Sequence, residues 1–163
     1  MTKALLFDLN GTMVDDMHYH IKAWHRISNE LGAAPSMEAV KAECYGKNAE
    51  VMERIFPGRF SPEEKNKISI EKEIQYRAEF KPFLRLIDGL DLFLEKAKAN
   101  GWKMAIGSAA IMSNVDFVLD GLQIRHYFDA VISADEVTNS KPDPETFLRC
   151  AAALGADPSR CIV

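Results

Sequence analysis

Asp8 is the first residue of this chain whose type and position could support catalysis. Four apolar residues at 4–7 predict a short buried strand, and Asp8 follows directly where that strand stops. Asn10 comes two residues later, and Gly11 and Thr12 turn the chain. A carboxylate at this position is well placed to be a nucleophile or a metal ligand, because open parallel α/β sheets bind ligands at the carboxyl ends of their strands.

Two further polar side chains are expected at the same sheet edge. Ser108 follows a predicted strand at 102–106, and Lys141 lies just before a helix expected to start at Asp143. An acid, a hydroxyl and an ammonium together suit phosphoryl transfer, in which a carboxylate attacks phosphorus and the phosphoryl oxygens need donors and cations. Mg²⁺ is the fitting metal, since it prefers oxygen ligands and phosphate. Alone, each of these residues is more often a cap, a turn or a solvated charge; the interpretation depends on all three occurring in this order.

Alternating strand and helix patterns must position these residues. After residue 87, helical segments alternate with predicted strands at 102–106, at 130–132 and from Cys161 onwards, which predicts βαβ units and a parallel sheet. The region 15–82 has helical patterns throughout. We therefore predict an α/β fold: residues 1–14 and 83–163 form a Rossmann-like parallel sheet core, and residues 15–82 form an inserted α-helical domain.

Composition narrows the function classes. The 163 residues carry a formal net charge of -4, which argues against general nucleic-acid binding. No apolar stretch is long enough to cross a membrane, and the N-terminus has no signal-peptide pattern. Cys44, Cys150 and Cys161 have no metal-ligand spacing, which favours free, mostly buried thiols. We expect a cytoplasmic monomer whose partner is a small molecule.

The segment 8–12, together with Ser108 and Lys141, resembles the first three motifs of the haloacid dehalogenase (HAD) superfamily. The helical insertion resembles the small α-helical cap of some members, and the segment 20–24 resembles β-phosphoglucomutase-like phosphatases. The resemblance covers essentially the whole chain and implies a HAD-like core. It also implies an aspartyl-phosphate at Asp8, with Ser108 binding phosphoryl oxygens and Lys141 shielding charge.

Asn10 departs from the family pattern. The family has a second Asp here, which protonates the leaving group and later activates water or a sugar hydroxyl. An amide does neither near neutral pH, and loss of general acid–base catalysis costs roughly 10²–10⁴-fold in rate, so we expect low activity. The resemblance implies Mg²⁺ binding by Asp8 and the Asn10 main-chain carbonyl. The chain ends within an expected strand, so we expect the C-terminal part of the core, with the family's final acidic motif, to lie beyond Val163 and Mg²⁺ binding to be weak.

The resemblance implies a set of substrate-binding positions: Gly11, Thr12, His20, Trp24, Gly46, Lys47, Asn48 and Ala109. His20 and Trp24 lie one helical turn apart and could equally be a packed aromatic pair. The family's mutases have an Arg shortly after the Gly that corresponds to Gly46, where this chain has Ala49, and they have polar residues where this chain has Ala109. Both departures favour a phosphatase, although Lys47 could replace the missing Arg.

We therefore predict a hydrolase, an Mg²⁺-dependent phosphatase acting on a small phosphorylated metabolite such as a sugar phosphate. Two alternatives stay open. One is a β-phosphoglucomutase-like isomerase, and the other is a phosphate-binding pseudoenzyme, which Asn10 would favour.

Overall fold

The computed structural model describes residues 3–163. Met1 and Thr2, which the sequence analysis assigns to the first segment of the α/β core, lie outside the described residues. The chain divides into two compact units. The first consists of the segment up to Asp15 together with Leu84–Val163, and the second is Asp16–Phe83.

Within the described residues, regular structure comprises four strands and seven α-helices. The strands are β1 (Ala4–Phe7), β2 (Lys103–Gly107), β3 (Ala130–Ile132) and β4 (Cys161–Ile162). The helices are α1 (Met17–Glu30), α2 (Met37–Glu43), α3 (Asn48–Ile55), α4 (Pro62–Phe80), α5 (Leu90–Ala99), α6 (Met112–Gly121) and α7 (Glu145–Ala153).

The four strands of the first unit form one sheet in the order β3-β2-β1-β4, and every pairing is parallel. Leu5 of β1 lies opposite Met104 of β2 on one side and Ile162 of β4 on the other. The predicted α/β class with a parallel sheet is thereby confirmed. The chain order moves outward from β1 through β2 to β3 and then returns to the opposite side of β1. Ligands bind beside such a reversal, at the carboxyl ends of the strands.

Alternate side chains of the strands pack on opposite faces of this sheet. On one face, Leu6 and Ala105 are buried in a cluster with Cys150 of α7. On the other, the ring of Phe7 makes edge-to-face contacts with Phe93 and Phe128, at centroid distances of 6.3 and 5.8 Å. Packing on both faces fixes β1 and therefore the direction in which the chain leaves it at residue 8.

The three thiols are free, as predicted, but the expectation that they are mostly buried is wrong. Cys150 is buried between α7 and the sheet, and burial raises the pKa of its thiol to about 12. Cys44 and Cys161 are each partly exposed. Cys161 begins β4, which pairs with β1.

The second unit consists of α1–α4, with a core that includes Trp24, Val51 and Met52. Two helices of this unit begin at serine caps. Ser36 accepts a hydrogen bond from the main chain of α2, and Ser61 forms a reciprocal capping box at the start of α4. The sequence analysis predicts helical structure throughout this region without separating α3, which begins directly after Gly46-Lys47.

Helix α4 has an unusual division of its faces. Two of its isoleucines, Ile70 and Ile74, are about half exposed. Its buried side includes Lys72, Glu73 and Tyr76. Long charged side chains are almost never fully buried unless they are paired, so this interior face needs partners within the unit. Among the described residues, no helix is both long and apolar enough to cross a membrane.

Candidate active site

Asp8 lies directly after β1 and is held by two donors. Its Oδ1 accepts a hydrogen bond from the main-chain N–H of Leu9 at 2.8 Å and from the Lys141 ammonium at 2.7 Å. Lys141 Nζ also donates to the main-chain carbonyl of Gly107 at 2.8 Å, at the end of β2. A single ammonium therefore joins the ends of two neighbouring strands and stabilises the charge of the Asp8 carboxylate.

Ser108 and Asn10 complete this group. Ser108 is fully buried, and its main-chain N–H donates to the carbonyl of Ile132 at 2.9 Å. Its hydroxyl donates to Asn10 Oδ1 at 3.3 Å and accepts from the N–H of Ala110 at 3.0 Å. The structure thus brings together the four polar side chains predicted to do chemistry, while their catalytic roles stay predictions.

Glu145, which the sequence analysis did not single out, holds the loop before Lys141. Its carboxylate accepts hydrogen bonds from the main-chain N–H groups of Thr138, at 3.0 and 3.1 Å, and of Asn139, at 2.8 Å. Arg149 donates to the same carboxylate at 2.9 Å. Led by the N–H groups of Asn139 and Thr138, these contacts lower the pKa of Glu145 to about 2. The sequence signal for this role of Glu145, an acid in the first turn of α7 three residues after Pro142, was not recognised.

The turn after Asp8 contains two predicted substrate-binding positions. Gly11 has a φ of 70°, which L side chains rarely adopt, and its N–H donates to the Val14 carbonyl at 2.9 Å. Thr12 is exposed, and Ala109 is partly buried beside Ser108. These residues lie in the turn or at the strand end that carries the polar group, and their contribution to substrate binding stays a prediction.

A cavity of about 490 Å³ reaches Asp8 and Lys141. Its walls are largely apolar, from β1, Phe93 and Phe147. An apolar wall offers no hydrogen bonds to phosphoryl oxygens, so we do not assign the cavity to the substrate.

The same residues bear on the predicted Mg²⁺. Asp8 supplies a carboxylate and Asn10 a main-chain carbonyl, both of which are oxygen donors of the kind that Mg²⁺ prefers. Within residues 3–163, no group of three or more His, Cys, Asp or Glu side chains is arranged to hold a metal ion.

A second polar cluster lies inside the helical unit. Lys72 is 1% exposed, and its ammonium lies 2.7 Å from His20 Nδ1 and 3.0 Å from Glu73 Oε1. Asn48 Nδ2 donates to the same Glu73 oxygen at 2.7 Å. The Lys72 ammonium also lies 5.3 Å from the centre of the Trp24 ring. These contacts account for the charged interior face of α4.

His20 connects Lys72 to a second buried acid. Its ring stacks on Tyr76 with centroids 3.7 Å apart, and the Tyr76 hydroxyl donates to Asp16 at 2.6 Å. His20 Nε2 lies 3.6 Å from Asp16 Oδ2. Burial, reinforced by the Lys72 ammonium, lowers the pKa of His20 despite the opposing effect of Asp16. The imidazole is therefore neutral near pH 7, and its Nδ1 accepts from Lys72 because an ammonium can only donate.

Several predicted substrate-binding residues lie in or beside this cluster. His20 and Asn48 belong to it, and Lys47 precedes α3, where its N–H donates to Glu50 at 2.8 Å. Trp24 is 1% exposed and belongs to the unit's core, which favours packing over ligand contact. The sequence analysis missed Lys72 altogether.

A helical signal for this cluster was present in the sequence. Asp16 and His20 are spaced by four residues, as are Lys72 and Tyr76, so each pair shares one helix face.

Comparison with known proteins defines the class to which this geometry belongs. The profile of the haloacid dehalogenase-like hydrolases matches residues 5–163. The chain therefore belongs to the haloacid dehalogenase-like hydrolase family, and the resemblance predicted from the motifs is confirmed.

Particular relatives narrow the likeness further. The chain is 29% identical to the fructose-1-phosphate phosphatase YqaB of Escherichia coli K12, over 98% of this chain and 84% of the relative. It is also 29% identical to the β-phosphoglucomutase of Bacillus subtilis, over 98% of this chain and 73% of that enzyme. The crystal structure of β-phosphoglucomutase from Clostridium difficile superposes with a TM-score of 0.88 at 29% identity, covering 99% of this chain and 74% of that one.

Proposed function

We propose that this chain is a phosphatase for small phosphorylated metabolites, sugar phosphates in particular, and that it works through an aspartyl-phosphate at Asp8. The observation that carries the proposal is the contact of the Asp8 carboxylate with the Lys141 ammonium at the end of the central strand. The relative from Escherichia coli that is named as a fructose-1-phosphate phosphatase supports the sugar-phosphate class.

Each residue of the group has a role in this mechanism. A carboxylate oxygen of Asp8 attacks phosphorus, and the bond between phosphorus and the leaving oxygen breaks on the opposite side. The Ser108 hydroxyl and nearby main-chain N–H groups bind the phosphoryl oxygens, and Lys141 offsets their charge. Mg²⁺, held by Asp8 and the Asn10 main-chain carbonyl, would supply further charge neutralisation at the phosphoryl group.

For substrate recognition we propose the second unit, with His20 and Asn48 as the first candidates. The support is that both belong to the hydrogen-bonded cluster around Lys72 and Glu73, whose contacts hold the two side chains in place. Gly46 and Lys47 come directly before Asn48, the first residue of α3, and we propose them as further contacts to the substrate.

The test is phosphate release from a panel of sugar phosphates by the Asn10→Asp variant with saturating Mg²⁺. Phosphate release that is abolished by Asp8→Asn in the same background supports the proposal. Soaking with beryllofluoride and Mg²⁺ checks the nucleophile independently, because this phosphoryl mimic should attach to Asp8. Attachment to Asp15 or Ser108 would contradict the assignment.

The same panel separates the alternatives. Interconversion of glucose 1-phosphate and glucose 6-phosphate, without phosphate release, would favour an isomerase like the Bacillus subtilis relative. Binding of sugar phosphates without turnover by either form would favour a phosphate-binding pseudoenzyme.

A further inference from the structure

Tyr45 is a large aromatic residue that the fold of the second unit leaves at the surface. It lies between the end of α2 and the start of α3, and 58% of its surface is exposed. Gly46, Lys47 and Asn48, which we propose as substrate contacts, follow it directly in the chain. Single exposed aromatic residues are common on protein surfaces, so the significance of this ring depends on whether the structure holds it in place.

Arg54 of α3 holds this ring and the segment that carries it. Its guanidinium carbon lies 3.8 Å from the centre of the Tyr45 ring, so the guanidinium covers one face of that ring. The guanidinium also donates to the main-chain carbonyl of Glu43 at 2.8 Å and to the main-chain carbonyl of Tyr45. Arg54 Nε lies 3.1 Å from the Glu43 carboxylate. One side chain therefore fixes the segment 43–45 through its charge, its hydrogen bonds and its planar face.

We propose that Tyr45 determines specificity by stacking its exposed ring face against the sugar ring of a cyclic sugar phosphate, and that Arg54 is its positioning residue. This rests on the proposed function and deepens it, because it names the ring form of the sugar as the feature that the loop recognises. The faces of a sugar ring present C–H groups, which an aromatic face can cover while the hydroxyl groups at the rim keep their hydrogen bonds. An open-chain sugar alcohol has no such rigid face.

The contacts of Arg54 determine how much this stacking can contribute to binding. A side chain that becomes ordered only when a ligand binds loses rotamer entropy, and that loss offsets part of the gain in affinity. Because Arg54 already orders the ring of Tyr45 and its main chain, little of this cost remains for the binding step. Arginine suits this role better than lysine, since only its planar group can stack on a ring and donate to several acceptors at once.

The test is isothermal titration calorimetry with the chain as it stands, because binding can be measured without turnover. The two ligands are glucose 6-phosphate, which is cyclic, and sorbitol 6-phosphate, which has the same number of carbon atoms in an open chain, each with Mg²⁺. Tyr45→Ala should weaken the binding of glucose 6-phosphate by about 2–10-fold, the contribution of one aromatic contact. It should change the binding of sorbitol 6-phosphate by less than about twofold, because that ligand offers no ring to stack.

The conservative variant Tyr45→Phe separates stacking from hydrogen bonding. It keeps the ring and removes the hydroxyl, so the affinity for glucose 6-phosphate should stay close to that of the unmodified chain. A loss as large as that of Tyr45→Ala would make the hydroxyl the contact and would overturn the stacking.

Arg54→Lys tests the positioning role. It keeps the positive charge but loses the planar face, so it should weaken the binding of glucose 6-phosphate and leave that of sorbitol 6-phosphate unchanged. Arg59→Lys is the matched control. The Arg59 guanidinium lies 5.3 Å from the ring centre of Phe56 and 5.0 Å from that of Phe60, in the same unit but outside the loop. This control should change neither affinity.

The outcomes separate this proposal from the proposed function. If Tyr45→Ala leaves the affinity for glucose 6-phosphate unchanged, or weakens both ligands equally, the stacking is wrong while a sugar-phosphate phosphatase stands. If Arg54→Lys has no more effect than Arg59→Lys, or weakens both ligands equally, the positioning role is wrong. If neither phosphate binds to the unmodified chain, the proposed class of substrate fails, and the stacking fails with it.

Discussion

Replacing Lys72 by methionine should destabilise the helical unit far more than the same replacement elsewhere on α4. Lys72 is 1% exposed, and its ammonium is the cation 3.0 Å from Glu73, which is 3% exposed. Lys72→Met keeps an unbranched chain of similar length but removes the cation from Glu73, to which the neutral amide of Asn48 still donates. Removing one partner of a buried ion pair costs about 3–5 kcal/mol, which we expect as the loss in free energy of unfolding.

The matched control lies two turns earlier on the same helix. Lys65 pairs with Glu53, whose side chain is half exposed, and exposed ion pairs contribute little to stability. Lys65→Met should therefore have a small effect. Combining Lys72→Met with Glu73→Gln should recover part of the loss, because the buried charge of Glu73 is then removed together with that of its partner.

The assay is denaturant unfolding followed by tryptophan fluorescence. Trp24 lies in the core of the helical unit and Trp102 in the other unit, so a Trp102→Phe background makes the signal report the helical unit. The reasoning would be refuted if Lys72→Met cost no more than Lys65→Met. It would also be refuted if Glu73→Gln added to the loss of Lys72→Met in full, because an intact ion pair requires the two effects to be coupled.

Three further predictions concern pH and packing. Folding lowers the pKa of His20, so as pH falls below about 6.5 this residue takes up a proton in the unfolded chain before it does so in the folded one. The free energy of unfolding should therefore decline below that pH. His20→Gln should flatten this part of a plot of stability against pH. The N–H groups of Asn139 and Thr138 lower the pKa of Glu145 from 4.5 to about 2. The stabilisation from this carboxylate is therefore complete above pH 4.5 and is lost as pH falls towards 2. The melting temperatures of Glu145→Gln and of the wild type should converge across that range of pH. Gly107→Ala would place a methyl group 3.0 Å from Cys150 Sγ and should lower stability by about 1–3 kcal/mol in denaturant unfolding, and a neutral result would mean that α7 can move away from β2.

The sheet and its polar group were predictable because both follow from chain order. Strands that alternate with helices along the chain form a parallel sheet. The carboxyl ends of parallel strands lie at the same edge of the sheet. Asp8, Ser108 and Lys141 could therefore be placed together from the sequence, although 133 positions separate the first from the last. What sequence reasoning did not supply was Glu145, whose role depends on main-chain donors of a loop.

The polar cluster of the helical unit was harder to predict for a physical reason. Helical patterns are detected from apolar residues at regular spacing, and such a pattern gives no sign of a charged interior face. Ile70 and Ile74 face outward, while Lys72 and Glu73 face inward. Burial of two charges is favourable only when their partners are supplied by α1 and α3, and that pairing is a property of helix packing that no single segment shows.

The two polar clusters differ in what a substitution can reveal. In the helical unit, charge and geometry cannot be separated, because removing Lys72 also removes the cation that lies 3.0 Å from the buried Glu73 carboxylate. At the sheet edge they separate, because an amide at position 10 accepts the hydrogen bond from Ser108 that a carboxylate could also accept. The arrangement of the site is thus compatible with either residue, whereas proton transfer is possible with only one of them. Binding of phosphorylated ligands and their turnover should consequently respond to different residues: binding to Ser108 and Lys141, and turnover of alcohol esters to position 10.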